Sequence, residues 1–140
     1  MYITTNLELK KFCDSICNDK FISIDTEFSR DKTYYPQLCL IQIASKNNAV
    51  IIDPLSEELD LNILSSTLQN PDIIKIFHSG KQDLEIILLL FKELPKNIFD
   101  TQIAASFCGI GSSISYEFLV GYLLGAKIDK SYCLSDWTKR

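Results

Sequence analysis

The spacing of hydrophobic residues predicts one leading helix and then three strands in the first half of the 140-residue chain. Thr5, followed three residues later by Glu8, has the pattern of a capping box and predicts an amphipathic helix through about Cys17. The strands are predicted at β-rich runs, which are Phe21 to Asp25, Leu38 to Ile43 and Ala49 to Asp53. Because only a short turn around Asn47 separates the last two strands, they must be antiparallel.

The second half of the chain alternates between helix and strand. The predicted elements are a helix at Leu59 to Leu68, a strand at Ile73 to Phe77, a helix at Gly80 to Phe91, a strand at Ile98 to Phe99, and helices at Thr101 to Phe107 and Ser115 to Leu124. Three antiparallel strands followed by such alternation indicate an α/β domain with a mixed five-stranded sheet. We predict that residues 1–140 form a single domain.

The net charge of the chain limits the ways in which it can bind a nucleic acid. Its net charge is −4, which argues against a broad basic surface that grips phosphates. An acidic chain still suits an enzyme whose carboxylates hold divalent cations, because the ions then supply the positive charge. The longest apolar run, Ile86 to Phe91, is too short to cross a bilayer, and the first residues do not resemble a signal peptide. We therefore predict a cytoplasmic protein that makes no membrane contact.

The five cysteines suggest either buried reduced thiols or a metal pair. They are Cys13, Cys17, Cys39, Cys108 and Cys133. The first two lie four residues apart and would share one face of the leading helix, but no second pair of ligands is near them in sequence. Buried reduced thiols are the favoured interpretation.

An acidic pair ends the first predicted strand, in the segment Asp25-Thr26-Glu27. Residues two apart on a strand point to the same face, so both carboxylates can converge on one spot. Ligand sites of α/β sheets lie just outside the carboxyl ends of strands. Taken alone, such a pair is also typical of solvated acids at a strand edge.

Four segments together resemble, in order and in spacing, the RNase D family of 3′→5′ exoribonucleases. The first joins Phe21 to Phe28 with Tyr34 to Ile43, and the others are His78 to Glu85, Phe99 to Ala105 and Leu134 to Arg140. The resemblance implies an RNase H-like fold with two divalent ions, Mg²⁺ or Mn²⁺. It also implies hydrolysis of phosphodiester bonds from the 3′ end of single-stranded RNA, such as the trailing ends of transfer RNA precursors.

The resemblance also implies roles for individual residues. Asp25 would bridge both ions, Glu27 would hold one of them, and Asp83 would complete part of the second ion's shell. These three are the expected catalytic and metal-binding residues. The expected substrate contacts are Thr26, Phe28 and Leu84, the last two against the terminal base.

Other polar or aromatic residues in these segments are interpreted as structural. An acid such as Asp83, in the first turn of a helix, is favoured by the helix dipole alone, and only the resemblance assigns it to a metal. We expect His78 to be a hydrogen-bonded structural residue, Lys81 to be exposed, and Asp100 to cap the helix that follows it. Trp137 is expected to anchor the last segment to the core.

The family's third exonuclease motif, of the form Tyr-x-x-x-Asp, would follow soon after Asp136 and is not among these 140 residues. The resemblance therefore implies a front part of the domain, lacking one metal ligand, a helix that covers one sheet face and the downstream helical nucleic-acid-binding modules. Three interpretations stay open: an exonuclease domain with weak or no activity, an enzyme completed by another chain, or a nucleic-acid-binding or interaction module that does not cut. A DNA exonuclease of the same superfamily is the nearest enzymatic alternative. Self-association through the uncovered face is also expected.

Overall fold

The computed structural model describes residues 1–30, 34–129 and 137 of the chain. Its strands are β1 (Tyr2–Ile3), β2 (Phe21–Ser29), β3 (Gln37–Ala44), β4 (Ala49–Ile52), β5 (Ile74–Phe77) and β6 (Ile98–Asp100). Its α-helices are α1 (Asn6–Ile16), α2 (Ser65–Gln69), α3 (Lys81–Phe91), α4 (Thr101–Phe107) and α5 (Tyr116–Leu124). A 3-10 helix (Leu61–Leu64) leads directly into α2.

The six strands form one mixed sheet in the order β1-β4-β3-β2-β5-β6. Strands β2, β3 and β4 are antiparallel neighbours, whereas β1 joins β4 in parallel and β5 joins both β2 and β6 in parallel. The prediction of an α/β fold with a mixed sheet is confirmed, but five strands were predicted and the described residues form six. The additional strand, Tyr2–Ile3, pairs with Ile51 and Ile52, and two residues are too few to produce a recognisable pattern in the sequence.

Within the part of the chain that the structure describes, helices pack against one face of the sheet. On β2 the residues Ile22 and Ile24 are buried, whereas Phe21, Ser23 and Asp25 on the other face are exposed. The core formed at the packed face comes from α1, the 3-10 helix, α2, α3 and the central strands, with members such as Leu9, Phe12, Ile16, Ile43, Ile52, Leu64, Leu68 and Ile86. The opposite face, called the open face below, lines a cleft of about 800 Å³.

The predicted helices agree with the structure apart from one boundary. The capping box at the start of α1 is confirmed. The Thr5 hydroxyl oxygen accepts a hydrogen bond from the Glu8 backbone N–H, and the Glu8 carboxylate accepts one from the Thr5 backbone N–H. The helix predicted from Leu59 was wrong at its start, because the chain first makes a 3-10 turn capped by Asp60 and becomes α-helical at Ser65. No helix within residues 1–30 and 34–129 is long and apolar enough to span a membrane.

The cysteines of the described residues lie in two environments. Cys13 and Cys39 are buried, as predicted, but Cys17 and Cys108 are exposed, so the prediction of burial was wrong for these two. Both follow the last residue of a helix, α1 and α4 respectively, and so lie beyond the face that packs. Cys133 lies outside the described residues.

Candidate active site

The acidic pair predicted from the sequence lies near the carboxyl end of β2. Strand alternation places Asp25, opposite Gln42, and Glu27, opposite Leu40, on the open face, while Thr26 between them points to the packed face. The pairing shifts between Glu27 and Phe28, because β3 carries one extra residue at that point. Such a bulge bends a strand and re-aims its side chains, here directly beside the two carboxylates.

Asp83 approaches the same strand end from helix α3. The chain turns sharply out of β5 at Ser79, which has a positive φ of 57°, and at Gly80, which caps α3. A Cβ on Gly80 would lie 2.5 Å from the Cβ of Phe77, so this turn requires glycine. The tight turn brings the first turn of α3 against β2.

Two hydrogen bonds fix the Asp83 carboxylate to the middle of the acidic segment. The backbone N–H and the side-chain hydroxyl of Thr26 donate to Asp83 Oδ1 at 3.0 Å and 2.5 Å. Both residues are 8% exposed, so these bonds are shielded from water and hold well. Among the described residues, every hydrogen bond to this carboxylate reaches Oδ1, which leaves Oδ2 available to a cation.

The charged forms of Asp25 and Glu27 are disfavoured at this site. Desolvation and then the negative charge of Asp83 raise the pKa of Asp25, although its backbone hydrogen bond at Thr26 and the nearby His78 act against the shift. Desolvation, followed by the charges of Asp25 and Asp83, raises the pKa of Glu27. Asp25 is exposed to the cleft, yet the surrounding atoms displace much of the bulk water around its carboxylate. A cation would relieve this repulsion.

The oxygen atoms of the three carboxylates are suitable ligands for a hard divalent ion. All three groups supply carboxylate oxygens, which Mg²⁺ and Mn²⁺ prefer, and desolvation together with the neighbouring negative charges raises the pKa of Asp25 and of Glu27. Within residues 1–30, 34–129 and 137, however, no three His, Cys, Asp or Glu side chains are already gathered closely enough to hold a metal ion. Binding through all three groups would therefore require side-chain rotation.

His78 is tied into the structure through both ring nitrogens, as predicted. Its Nδ1 lies 2.9 Å from Thr101 Oγ1 and its Nε2 lies 3.1 Å from the Ile114 carbonyl oxygen. The Tyr116 ring packs edge-on against the imidazole at a centroid distance of 5.5 Å. The histidine thus joins the end of β5 to the start of α4 and to the loop before α5.

Asp100 caps α4, as predicted, and also holds the turn before α3, which the sequence did not reveal. Its Oδ1 accepts from the backbone N–H groups of Gln102 at 2.8 Å and of Ile103 at 3.2 Å. The N–H groups of Ser79 and Gly80 donate to the same carboxylate at 3.2 Å and 2.8 Å. Burial alone would raise the pKa of Asp100, but these four hydrogen bonds outweigh it and lower the pKa.

The remaining predicted residues lie around the acidic site or outside the described part. Phe28 and Leu84 are half-buried and pack against the core, and Lys81 is exposed at the start of α3. The contacts of Phe28 and Leu84 with a nucleobase stay predictions. Trp137 is half-buried, but the segments on either side of it lie outside the described residues.

Comparison with known proteins finds relatives across the whole chain. The sequence profile of the 3′-5′ exonuclease domain matches residues 1–140. A protein named Ribonuclease D from Gluconacetobacter diazotrophicus is 45% identical over 138 residues, which cover 99% of this chain and 35% of that protein. A second Ribonuclease D, from Zymomonas mobilis, is 46% identical over 139 residues, which cover 99% of this chain and 36% of the relative.

The solved structures include the same kind of protein. Escherichia coli RNase D, described as an exoribonuclease involved in structured RNA processing, superimposes with a TM-score of 0.95 at 41% identity. The match covers 100% of this chain and 37% of that structure. The chain therefore spans about a third of the length of its curated relatives. On its profile, its fold and these relatives, the chain belongs to the 3′-5′ exonuclease family and is similar to about a third of Ribonuclease D.

Proposed function

We propose that this chain carries the metal-binding part of a 3′→5′ exoribonuclease that hydrolyses phosphodiester bonds at the 3′ end of RNA. The observation that carries the proposal is that Asp83 is hydrogen-bonded to Thr26, the residue between Asp25 and Glu27, and that these two neighbours have raised pKa values. The names of the relatives support RNA as the substrate. Trimming of transfer RNA precursors, suggested by the sequence resemblance, is the proposed physiological reaction.

The three carboxylates have distinct places in the proposed reaction. Asp25 lines the cleft on the open face of the sheet, Glu27 lies two residues further along the same face, and Asp83 reaches the same strand end with Oδ1 held by Thr26. Two divalent ions, when bound, would activate a water molecule and stabilise the leaving oxygen. The chain's own contribution is to fix the direction of Asp83 and to keep the carboxylates partly desolvated, so that they favour a cation over bulk water.

The proposal is tested by stepwise shortening of a 5′-labelled single-stranded RNA in Mn²⁺, together with calorimetric titration of Mn²⁺. Asp25→Asn keeps the shape of the side chain but removes its charge, and we expect it to abolish shortening and to weaken Mn²⁺ binding by about tenfold or more. Asp14→Asn, which alters an exposed residue of α1, serves as the control with equal charge change. Unchanged Mn²⁺ affinity in Asp25→Asn would refute the assignment of the site.

The same experiment separates the open alternatives. A DNA exonuclease of this superfamily would shorten a single-stranded DNA of the same sequence faster than the RNA. A nucleic-acid-binding module would bind the RNA, and bind Mn²⁺ in an Asp25-dependent manner, without shortening it. Shortening that appears only when a second polypeptide is added would indicate an enzyme completed by a partner.

We also propose that the chain self-associates through the open face of the sheet. Large apolar side chains on this face, among them Phe21, Ile51 and Ile74, are between 37% and 44% exposed. Contiguous apolar surface of this kind commonly marks an interface. The cytoplasmic location expected from the sequence stays a prediction.

A further inference from the structure

The side chain of Arg30, the residue directly after β2, makes two weak contacts. Its Nη2 lies 3.5 Å from Glu85 Oε2, and the two side chains are 45% and 49% exposed. Its Cζ lies 5.5 Å from the centroid of the Phe28 ring. Exposed ion pairs at such distances contribute little to stability. The guanidinium can therefore leave Glu85 for another anion at little cost in free energy.

The position of this pair connects the two elements that supply the carboxylates. Arg30 follows Glu27 by three residues at the end of β2, and Glu85 follows Asp83 by two residues on α3. Phe28 between them is half-buried and packs against the core, so it offers a fixed surface under the guanidinium. Arg30 is therefore a cation held between the two elements that supply the three carboxylates.

A cation in this place reduces the repulsion between the carboxylates and an incoming phosphate. The chain carries a net charge of −4, and Asp25, Glu27 and Asp83 would repel a phosphate that approaches them. A guanidinium presents a planar fork of N–H donors that matches two phosphate oxygens. Glu85 is a carboxylate, so a phosphate that meets Arg30 replaces one anionic partner with another.

We infer that Arg30 binds a backbone phosphate of the nucleic acid, exchanging Glu85 for that phosphate while its guanidinium stays over Phe28. The inference rests on the proposed function, because it needs a nucleic acid at the acidic site. In the absence of substrate, the ion pair with Glu85 keeps the Arg30 side chain extended. Arg30 is a substrate-positioning residue and takes no part in metal binding.

The test is equilibrium binding of a fluorescent single-stranded RNA in Ca²⁺, followed by anisotropy over a range of salt concentrations. We expect Arg30→Gln to weaken binding about three- to tenfold and to reduce the slope of log affinity against log salt by about 0.7, the value for one phosphate contact on a single strand. Glu85→Gln should bind RNA as tightly as the unaltered chain or more tightly. Lys11→Gln, at an exposed position on α1, is the matched control and should change neither quantity.

The alternative is that the ion pair only ties β2 to α3. In that case Arg30→Gln and Glu85→Gln would lower the melting temperature equally and leave RNA affinity and salt slope unchanged, which would overturn the inference while leaving the proposed function intact. Absence of RNA binding by the unaltered chain would overturn the proposed function and this inference with it. Mn²⁺ affinity adds an independent readout, because we expect Arg30→Gln to preserve it and Asp25→Asn to lose it.

Discussion

At the scale of single residues, the hydrogen bonds of Thr26 determine where the Asp83 carboxylate lies. The sequence led us to expect a substrate contact at this position, and that role stays a prediction. The described contacts of Thr26 are with Asp83, through both its backbone N–H and its hydroxyl. Strand alternation explains this arrangement, since it turns Thr26 away from the open face that carries Asp25 and Glu27.

Replacing Thr26 by valine keeps the shape of the side chain and removes the 2.5 Å hydroxyl bond to Asp83 Oδ1. Loss of such a supporting hydrogen bond commonly weakens metal binding, so we expect Mn²⁺ affinity to fall about tenfold. Thr26→Ser keeps the hydroxyl and should retain most of the affinity. Calorimetric titration measures both variants, and equal affinity of the valine and serine variants would show that the hydroxyl does not position Asp83.

Glu27 is expected to destabilise the fold in the absence of metal. Its pKa is raised in the folded state, so its protonated form is favoured there, and this stabilising contribution is lost as the pH rises through that pKa. At neutral pH, Glu27→Gln should therefore raise the melting temperature by about 2–4 °C. Glu93→Gln, at an exposed position after α3, should change it little. A melting temperature of Glu27→Gln below that of the unaltered chain would contradict the electrostatic argument.

At the scale of elements, one buried lysine and one capping aspartate hold the ends of strands and helices in place. The side chain of Lys75 on β5 is fully buried, and its Nζ donates to the carbonyl oxygens of Asn70 and of Ile73, the latter at 2.9 Å. These carbonyls lie in the connection from α2 to β5. A buried amino group thus satisfies the carbonyl of Asn70, which caps the end of α2, and the carbonyl of Ile73 in the connection that follows.

The burial of Lys75 predicts a pH dependence of stability. Desolvation, with the nearby charge of Lys96, lowers the pKa of Lys75 to about 8. Between that value and the ordinary value of about 10.4 the unfolded chain binds more protons than the folded chain, so the free energy of unfolding should rise with pH. Lys75→Met should lack this rise. Urea denaturation of both proteins at several pH values above 8 measures the difference, and parallel curves would refute it.

Asp100 joins the start of α4 to the turn before α3, so its loss should affect stability more than metal binding. Asp100→Ala removes the acceptor of four backbone N–H groups, and we expect a loss of about 2 kcal/mol in the free energy of unfolding. Since the pKa of Asp100 is lowered in the folded state, its stabilisation is present above the ordinary carboxyl pKa and is lost as pH falls through the folded value. Melting and Mn²⁺ titration of the variant measure both effects. A larger loss in the free energy of Mn²⁺ binding than in the free energy of unfolding would contradict this assignment.

The sequence predicted the elements of this fold well where a local signal exists. The capping box at Thr5, the helix start after Asp100 and the antiparallel pair joined near Asn47 all follow from neighbouring residues, and all are present. The strand at Tyr2–Ile3 could not be predicted, because its pairing partner lies on β4, far along the chain. For the same reason the sequence did not reveal that Asp100 also holds Gly80, or that Arg30 meets Glu85.

At the scale of the whole molecule, the difference between the two sheet faces is the dominant feature. Helices cover one face, while the other carries exposed apolar residues on several strands, such as Phe21 and Ile51, along the 800 Å³ cleft. The acidic pair lies on this same open face. Any molecule or segment that covers the sheet therefore also approaches Asp25.

Ile51→Lys should reduce self-association without unfolding the chain. Ile51 is 39% exposed on β4, and a lysine there places a charge in the proposed interface while its alkyl chain still covers the neighbouring strand. We expect the unaltered chain to form dimers or larger species at micromolar concentration and the variant to sediment as a monomer with the same circular dichroism spectrum. Glu57→Lys, at an exposed position outside the sheet, is the control for added charge. A monomeric unaltered chain would exclude this interface.

The hydrogen bonds between Thr26 and Asp83 also have a consequence for the order of folding. They join residues 57 positions apart, whereas β2, β3 and β4 are consecutive and pair through short connections. Contacts that are local in sequence close first, because less chain entropy is lost. The three-stranded meander should therefore form while its acidic pair has no partner, and Asp83 arrives only when β5 and α3 dock. Divalent ions would then accelerate neither collapse nor strand pairing and would slow only unfolding.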